Sequence, residues 1–396
     1  MTIEAVNPRQ RGLRSSSREG TPGVLGLLLR FDWILLGAAL GTVAYGLWAI
    51  NGITRHDPGG SAAGRQGLYA AVGIVLLVAG SLIDPASYRR FSRPAYVALC
   101  TVMALVLVVG AATNGSRRWI NLGFFTFQPS EFGKVLLALF LAGFLSERAK
   151  QASQLGVPLK AIACAGVTVL LVLVQPDVGT ALVYVSVLTA ALFVSGVRWA
   201  HLAIVGALAL IGVLAVLWWL PAAGVDVLKP YQTARLTGFT HPSANPGDPT
   251  SYSLRESMIA VGSGGLEGRG IAGATQTLLD YLPNDDTDFA FASLAEQRGF
   301  FGASLLLLLY LVVVWRGLKI VTGARDLFGA ILAGGIVFGF LFQVFVNVGM
   351  TIGIAPITGI PLPFVSVGGS SMISNLAAVG ILEAIAARGG RRRGSA

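Results

Sequence analysis

Long apolar runs recur along the whole chain, separated by short polar corners. A helix needs about 20 apolar residues to cross the hydrocarbon core of a bilayer. The pattern predicts membrane spans near 32–51, 66–84, 94–112, 131–146, 159–175, 180–197, 202–220, 292–315, 327–349 and 371–388. The expected fold is therefore an all-α polytopic membrane protein of about ten helices. One long polar loop, 221–289, separates spans seven and eight. Residues 1–30 and 389–396 form basic tails around a transmembrane domain over 31–388. Spans five and six are joined only by Gln175-Pro176-Asp177-Val178-Gly179. So tight a polar corner belongs at the membrane surface or against protein, because lipid cannot satisfy its backbone.

Composition agrees. Of 396 residues, 54% are hydrophobic and 12% charged, and the mean hydropathy is +0.71. A soluble domain carries about 25% charged residues, so the membrane must be the solvent for most of this chain. The polar, basic start (Arg9, Arg11, Arg14, Arg18) lacks a small-residue cleavage pattern, and the first apolar run is expected to stay as a span. Cys100 and Cys164 lie inside apolar runs. They provide neither a disulfide framework nor a metal set.

Charge sets the orientation. With the N-terminus in the cytoplasm, the inner segments hold most of the 29 Lys and Arg residues, including Arg89, Arg90, Arg93, Arg148, Lys150, Arg316, Lys319, Arg388 and Arg391–Arg393. That is the positive-inside pattern, with both tails cytoplasmic. The net charge of +10 then reflects topology and attraction to anionic membrane lipid. No stacking aromatics accompany the basic runs, so no nucleic-acid partner is expected. Carboxylates collect on the outer side instead, where three polar stretches break the apolar pattern.

The first stretch runs from Arg117-Arg118-Trp119-Ile120-Asn121 to Gln128-Pro129-Ser130-Glu131 and Lys134. Ser130 is a good N-cap, which would start a helix with Glu131 in its first turn and Lys134 on the same face. Apolar residues follow at once, so this ion pair enters the membrane, where ionisable groups mark functional sites. The second is the end of the long loop, with Asp280, Asp285, Asp286 and Asp288. Asp285 and Asp286 read as solvated. Asp288 abuts Phe289-Ala290-Phe291 and should sit partly desolvated at the membrane boundary, an environment that suits a general base. An EF-hand does not fit the spacing. Within the same loop, 253–261 suggests a short amphipathic helix. The run Gly262-Ser263-Gly264-Gly265 lacks the strand and lysine of a nucleotide loop. The third stretch, 353–371, is rich in Pro and Gly and reads as re-entrant backbone lining a cavity. Its amides and hydroxyls at Ser366, Gly368, Gly369 and Ser370 could bind an anion at the start of the last helix.

In order, Arg118-Trp119-Ile120, Gln128-Pro129-Ser130-Glu131 with Lys134, Gln175–Thr180, Gly262–Gly265, Leu282-Pro283 with Thr287-Asp288-Phe289, Thr358–Phe364 and Gly368–Ser371 resemble the SEDS family (shape, elongation, division and sporulation), the RodA and FtsW proteins. The resemblance covers roughly 30–388. Asn347–Gly353 and the short tail are similar to the RodA branch. Departures are Glu256 before Ser257, Asn284 after the loop proline, and Val367 in place of a usual Tyr.

The resemblance implies a peptidoglycan glycosyltransferase of the bacterial inner membrane. Such an enzyme polymerises lipid II and releases undecaprenyl diphosphate during cell elongation. Implied partners are a class B penicillin-binding protein (the transpeptidase) and elongation-complex proteins. Asp288 is the implied essential carboxylate. Lys134, Arg118 and, more weakly, Arg235 are the implied diphosphate contacts, and Trp119, Gln128 and Ser130 stand beside them. Glu131 would orient Lys134 or hold a divalent cation such as Mg2+, although no closed metal-ligand set is present. Two other classes compete. A lipid II flippase would place its charges near the bilayer midplane and repeat broken helices in two halves. A non-catalytic scaffold for the transpeptidase would leave Glu131, Lys134 and Asp288 without a reason to lie at a membrane boundary.

Overall fold

The computed structural model describes residues 30–54, 62–113, 116–121, 123, 126–151, 154–215, 219–222, 224 and 249–389. The basic tails, Arg235 and the turn-rich segment 241–248 lie outside the described residues.

Among the described residues the long helices are α1 (Trp33–Ile53), α2 (Ala62–Leu82), α3 (Pro85–Val109), α4 (Pro129–Glu147), α5 (Gly156–Val174), α6 (Val178–Val194), α7 (Trp199–Leu214), α8 (Pro249–Ser263), α9 (Ala290–Gly323), α10 (Leu327–Thr351) and α11 (Gly369–Gly389). Eight of them, α1 to α5 and α9 to α11, are long and apolar enough to span a membrane. Helices α6 and α7, with 17 and 16 residues, occupy the positions of predicted spans six and seven. Helix α8 extends the predicted amphipathic segment at both ends. The chain is a multi-pass membrane protein.

Helix starts follow local capping chemistry. The Asp32, Asp84, Asp177 and Asp326 carboxylates accept hydrogen bonds from first-turn amides of α1, α3, α6 and α10. This explains the largest boundary difference. Span three was expected from 94, after the basic cluster and Pro94. It begins at Pro85 instead, because Asp84 caps it and a proline fits the first helical position. Pro94 lies inside α3, and Arg89, Arg90 and Arg93 ride on its first turns.

Two features depart from a plain bundle. A small antiparallel sheet joins α3 to α4. Its strands are β1 (Ala111–Thr113), β2 (Ser116–Asn121) and β3 (Thr126–Phe127), in order β1-β2-β3, with Ile120 opposite Phe127. The all-α expectation omitted it. Helix α9 is also sharply kinked at Gly299, where φ is 65°. Backbone groups near the kink bond to the glycine run: Phe300 N–H donates to the Gly265 carbonyl (2.8 Å) and Arg269 N–H to the Glu296 carbonyl (2.9 Å). The glycines after α8 thus serve close packing against a bent helix.

Helices α4, α10 and α11 are mostly buried, whereas α2, α3, α5 and α9 bury no more than about a third of their spans. At one end of the bundle Arg316 grips the Asp32 carboxylate, and the Asp32 N–H donates to Glu383 (2.8 Å). Arg388 donates to the Leu82 carbonyl (3.1 Å) and Arg93 pairs with Glu147 (2.5 Å) at that same end. The three polar stretches gather at the other end.

Candidate active site

A cavity of about 580 Å³ opens where the N-terminal ends of α2, α4, α6 and α11 meet β2, β3, residues 284–288 and the irregular segment 356–361. Arg118, Trp119, Gln128, Glu131, Asp288, Gly368, Gly369 and Ser370 all line it. These residues come from three segments separated by about eighty residues or more.

The wall at α4 is built locally. Pro129 takes the first helical position and Gln128 is the cap residue. Ser130, expected as the cap, lies within the first turn and is buried. Its hydroxyl accepts a hydrogen bond from Gln128 Nε2 (3.2 Å), and its carbonyl accepts one from the Tyr184 hydroxyl (3.0 Å). Ser130 therefore shapes the wall without lining it. Glu131 is 3% exposed and reaches the cavity edge. Lys134, expected to touch a diphosphate directly, sits behind Glu131. Its Nζ donates to Glu131 Oε2 and to Gln343 Oε1, both at 2.8 Å, and it does not line the cavity. The i,i+3 spacing drives both side chains inward on one buried helix face. Gln343 of α10 supplies the remaining partner.

The cavity lining also carries a cation. Arg118 Nη1 lies 3.5 Å from Asp177 Oδ2, and its guanidinium stands 5.2 Å from the centre of the Trp119 ring. Trp119 Nε1 donates to Gln128 Oε1 (3.3 Å). Gln128 N–H donates to Ser370 Oγ (2.9 Å), which donates in turn to the Thr126 carbonyl (3.1 Å). These bonds fasten the strand-to-helix joint to the start of α11.

Asp288 immediately precedes the α9 cap residue Phe289. Its backbone is fixed from both sides. Asn347 of α10 donates from Nδ2 to the Asp288 carbonyl (3.0 Å) and to the Ile360 carbonyl (2.8 Å). The Phe289 N–H bonds to the Asn284 carbonyl (3.1 Å). Asn284 has φ of 54°, a left-handed conformation that asparagine tolerates better than most residues. Asp285 and Asp286 do not line the cavity.

The segment 352–368 is irregular, and its stretch 362–366 is buried. Ser366, expected as an anion contact, is consumed by structure. Its hydroxyl accepts from Leu362 N–H (2.8 Å) and donates to the Thr287 carbonyl (2.5 Å). Gln66 of α2 splints the same turn, donating to the Ser366 carbonyl (3.0 Å) and accepting from Gly368 N–H (3.1 Å).

Sequence reasoning missed Arg65, Gln66, Tyr69, Asp177, Gln343 and Asn347. Gln343 and Asn347 did carry a signal, since two amides four apart in an apolar helix share one face. Arg65 lies at the start of α2 and lines the cavity, yet nothing in its neighbours distinguished it. Among the described residues no three His, Cys, Asp or Glu side chains gather as a metal-ligand set.

The FtsW/RodA/SpoVE family model, described as "Cell cycle protein", matches residues 28–389. The chain belongs to this family. Its relatives come from several branches at equal identity. Stage V sporulation protein E of Bacillus subtilis is 36% identical over 372 residues, covering 93% of this chain and 97% of that protein. Peptidoglycan glycosyltransferase MrdB of Escherichia coli is 36% identical, covering 80% and 83%. The probable peptidoglycan glycosyltransferase FtsW of Coxiella burnetii is also 36% identical, covering 81% and 85%. Among solved structures, one described as "Structural coordination of polymerization and crosslinking by a peptidoglycan synthase complex" superposes with a TM-score of 0.75. It has 30% identity and covers 90% of this chain and 97% of that one. The rod shape determining protein RodA of Thermus thermophilus superposes at 0.65 with 28% identity, covering 90% and 96%. Family membership places the chain in the bacterial cell membrane.

Proposed function

We propose that this chain is a peptidoglycan glycosyltransferase that polymerises lipid II into glycan strands at the outer face of the membrane. The observation that carries the reading is the cavity itself, where Arg118, Glu131, Asp288 and the start of α11 face one space. It lies at the end of the bundle opposite Arg93, Arg316 and Arg388. With both tails cytoplasmic, as the positive-inside pattern requires, that space opens outward.

The chemistry assigns the parts. An acceptor sugar hydroxyl loses its proton to the Asp288 carboxylate as its oxygen bonds to the donor's anomeric carbon. The bond from that carbon to the diphosphate oxygen breaks, and its electron pair leaves on undecaprenyl diphosphate. Negative charge develops on the leaving oxygen, where fixed donors and cations act most strongly. Arg118, Gly369 and Ser370 border the cavity and are the proposed contacts for it. An arginine fork matches phosphate oxygens. Lys134 acts through Glu131, fixing its carboxylate at the cavity edge. Arg235 is retained as a weaker diphosphate contact from the outer loop.

Asn347–Gly353 favours the elongation branch and hence elongation-complex partners. A class B penicillin-binding protein is the proposed transpeptidase partner. Support comes from the structural neighbour whose complex is described as coordinating polymerization and crosslinking.

The test is reconstitution of the purified chain with its cognate transpeptidase and lipid II in detergent or vesicles. Glycan polymer that disappears on digestion with a muramidase is the expected product. Transbilayer movement of lipid II without polymer would replace this reading with the transporter. Neither activity, with the complex intact, would leave the scaffold.

A further inference from the structure

Asp177 lines the same cavity but fits none of the chemical steps above. It is 5% exposed, and both of its oxygens are engaged. Oδ1 accepts from the Thr180 amide (3.0 Å) and caps α6. Oδ2 accepts from Gln128 Nε2 (3.4 Å) and pairs with Arg118 Nη1 (3.5 Å). One buried carboxylate thus ties together the strand that carries Arg118 and Trp119, the start of α4 and the start of α6.

Its charge has the wrong sign for contact with a diphosphate, since an acid beside an anionic ligand repels it. Its partners resolve the contradiction. Arg118 presents five N–H donors in a rigid planar fork. Clamping one edge of that fork fixes the direction of the rest and reduces the rotamer freedom lost on binding. Gln128 is clamped in the same way, and through Gln128 Oε1 the carboxylate also fixes the Trp119 indole.

We propose that Asp177 is a positioning residue, which aims the Arg118 guanidinium into the cavity for recognition of the lipid-linked diphosphate. This rests on the glycosyltransferase reading only for the identity of the ligand.

Repulsion and positioning predict opposite signs, and that makes the proposal testable. Equilibrium affinity for undecaprenyl diphosphate is measured on the full chain in lipid nanodiscs, for wild type, Arg118→Ala, Asp177→Ala, Asp177→Asn and Arg118→Ala/Asp177→Ala. Losing one charge-assisted contact weakens binding by about tenfold or more. Asp177→Ala is expected to weaken binding by about that factor, as Arg118→Ala does, and the double variant to bind no more weakly than Arg118→Ala alone. Asp177→Asn keeps an acceptor for the Thr180 amide and so preserves the α6 cap. It is expected to unfold at a higher midpoint than Asp177→Ala and still lose affinity. Tighter or unchanged binding by Asp177→Ala, or a full further loss when it is added to Arg118→Ala, would overturn the proposal. So would a wild type that does not bind the lipid diphosphate. Absence of polymer from a wild type that binds normally would count against the glycosyltransferase reading alone.

Discussion

Lys134 Nζ lies 2.8 Å from Glu131 Oε2 and 2.8 Å from Gln343 Oε1, inside the bundle and one layer behind the cavity wall. The pair is 4% and 7% exposed at its side chains. Breaking a buried pair from one side strands the other charge and costs about 3–5 kcal/mol. Glu131→Ala is therefore expected to lower the thermal unfolding midpoint sharply and to abolish polymerisation. Glu131→Gln/Lys134→Met removes both charges at similar volume. It should recover most of the stability, read by the same melt, without recovering activity. Recovered activity in that double variant would show that the pair serves folding only.

Asn347 holds two backbone carbonyls, those of Asp288 and Ile360, from one amide. Asn347→Leu keeps the volume and strands both acceptors, at about 1–3 kcal/mol each. The expected outcome is a loss of stability of that order together with slower turnover, because the backbone of Asp288 is released. Unchanged turnover in a destabilised variant would mean that Asp288 is held elsewhere.

The kink at Gly299 has φ 65° and ψ −163°, a backbone region that essentially only glycine adopts and that costs a side-chain-bearing residue about 1–3 kcal/mol. A Cβ there would also press on the backbone of Leu266 and Gly268. Gly299→Ala should detach the 264–269 turn from α9. Limited proteolysis should then cut within 262–279 faster than in the wild type, while cutting elsewhere is unchanged.

Much of this architecture was legible in the sequence. The ten apolar segments were visible because the bilayer imposes length and composition directly. The segments carrying Arg118, Glu131, Asp288 and Gly368–Ser371 announced themselves by breaking that pattern. The β2–β3 sheet did not, because six- and two-residue strands give too little alternation to register. Lys134 and Ser366 were assigned to the surface of the site because sequence shows which face a residue takes but not which layer. Lys134 is stopped behind Glu131 by Gln343, and Ser366 is used up by Leu362 and Thr287. Asp177 was read as part of a corner, since its partners Arg118 and Gln128 lie some fifty residues away in sequence and meet it only in the folded chain.

The central claim is that Asp288 takes the proton of the acceptor hydroxyl in glycan polymerisation. Removing a positioned general base costs about 10²–10⁴-fold in rate. The direct measurement is the initial rate of polymer formation from lipid II by the purified complex with its transpeptidase, for wild type and Asp288→Ala. The account predicts polymer from the wild type and a loss of that size in the variant, with folding, complex formation and lipid II binding retained. Polymer from Asp288→Ala at the wild-type rate would contradict it.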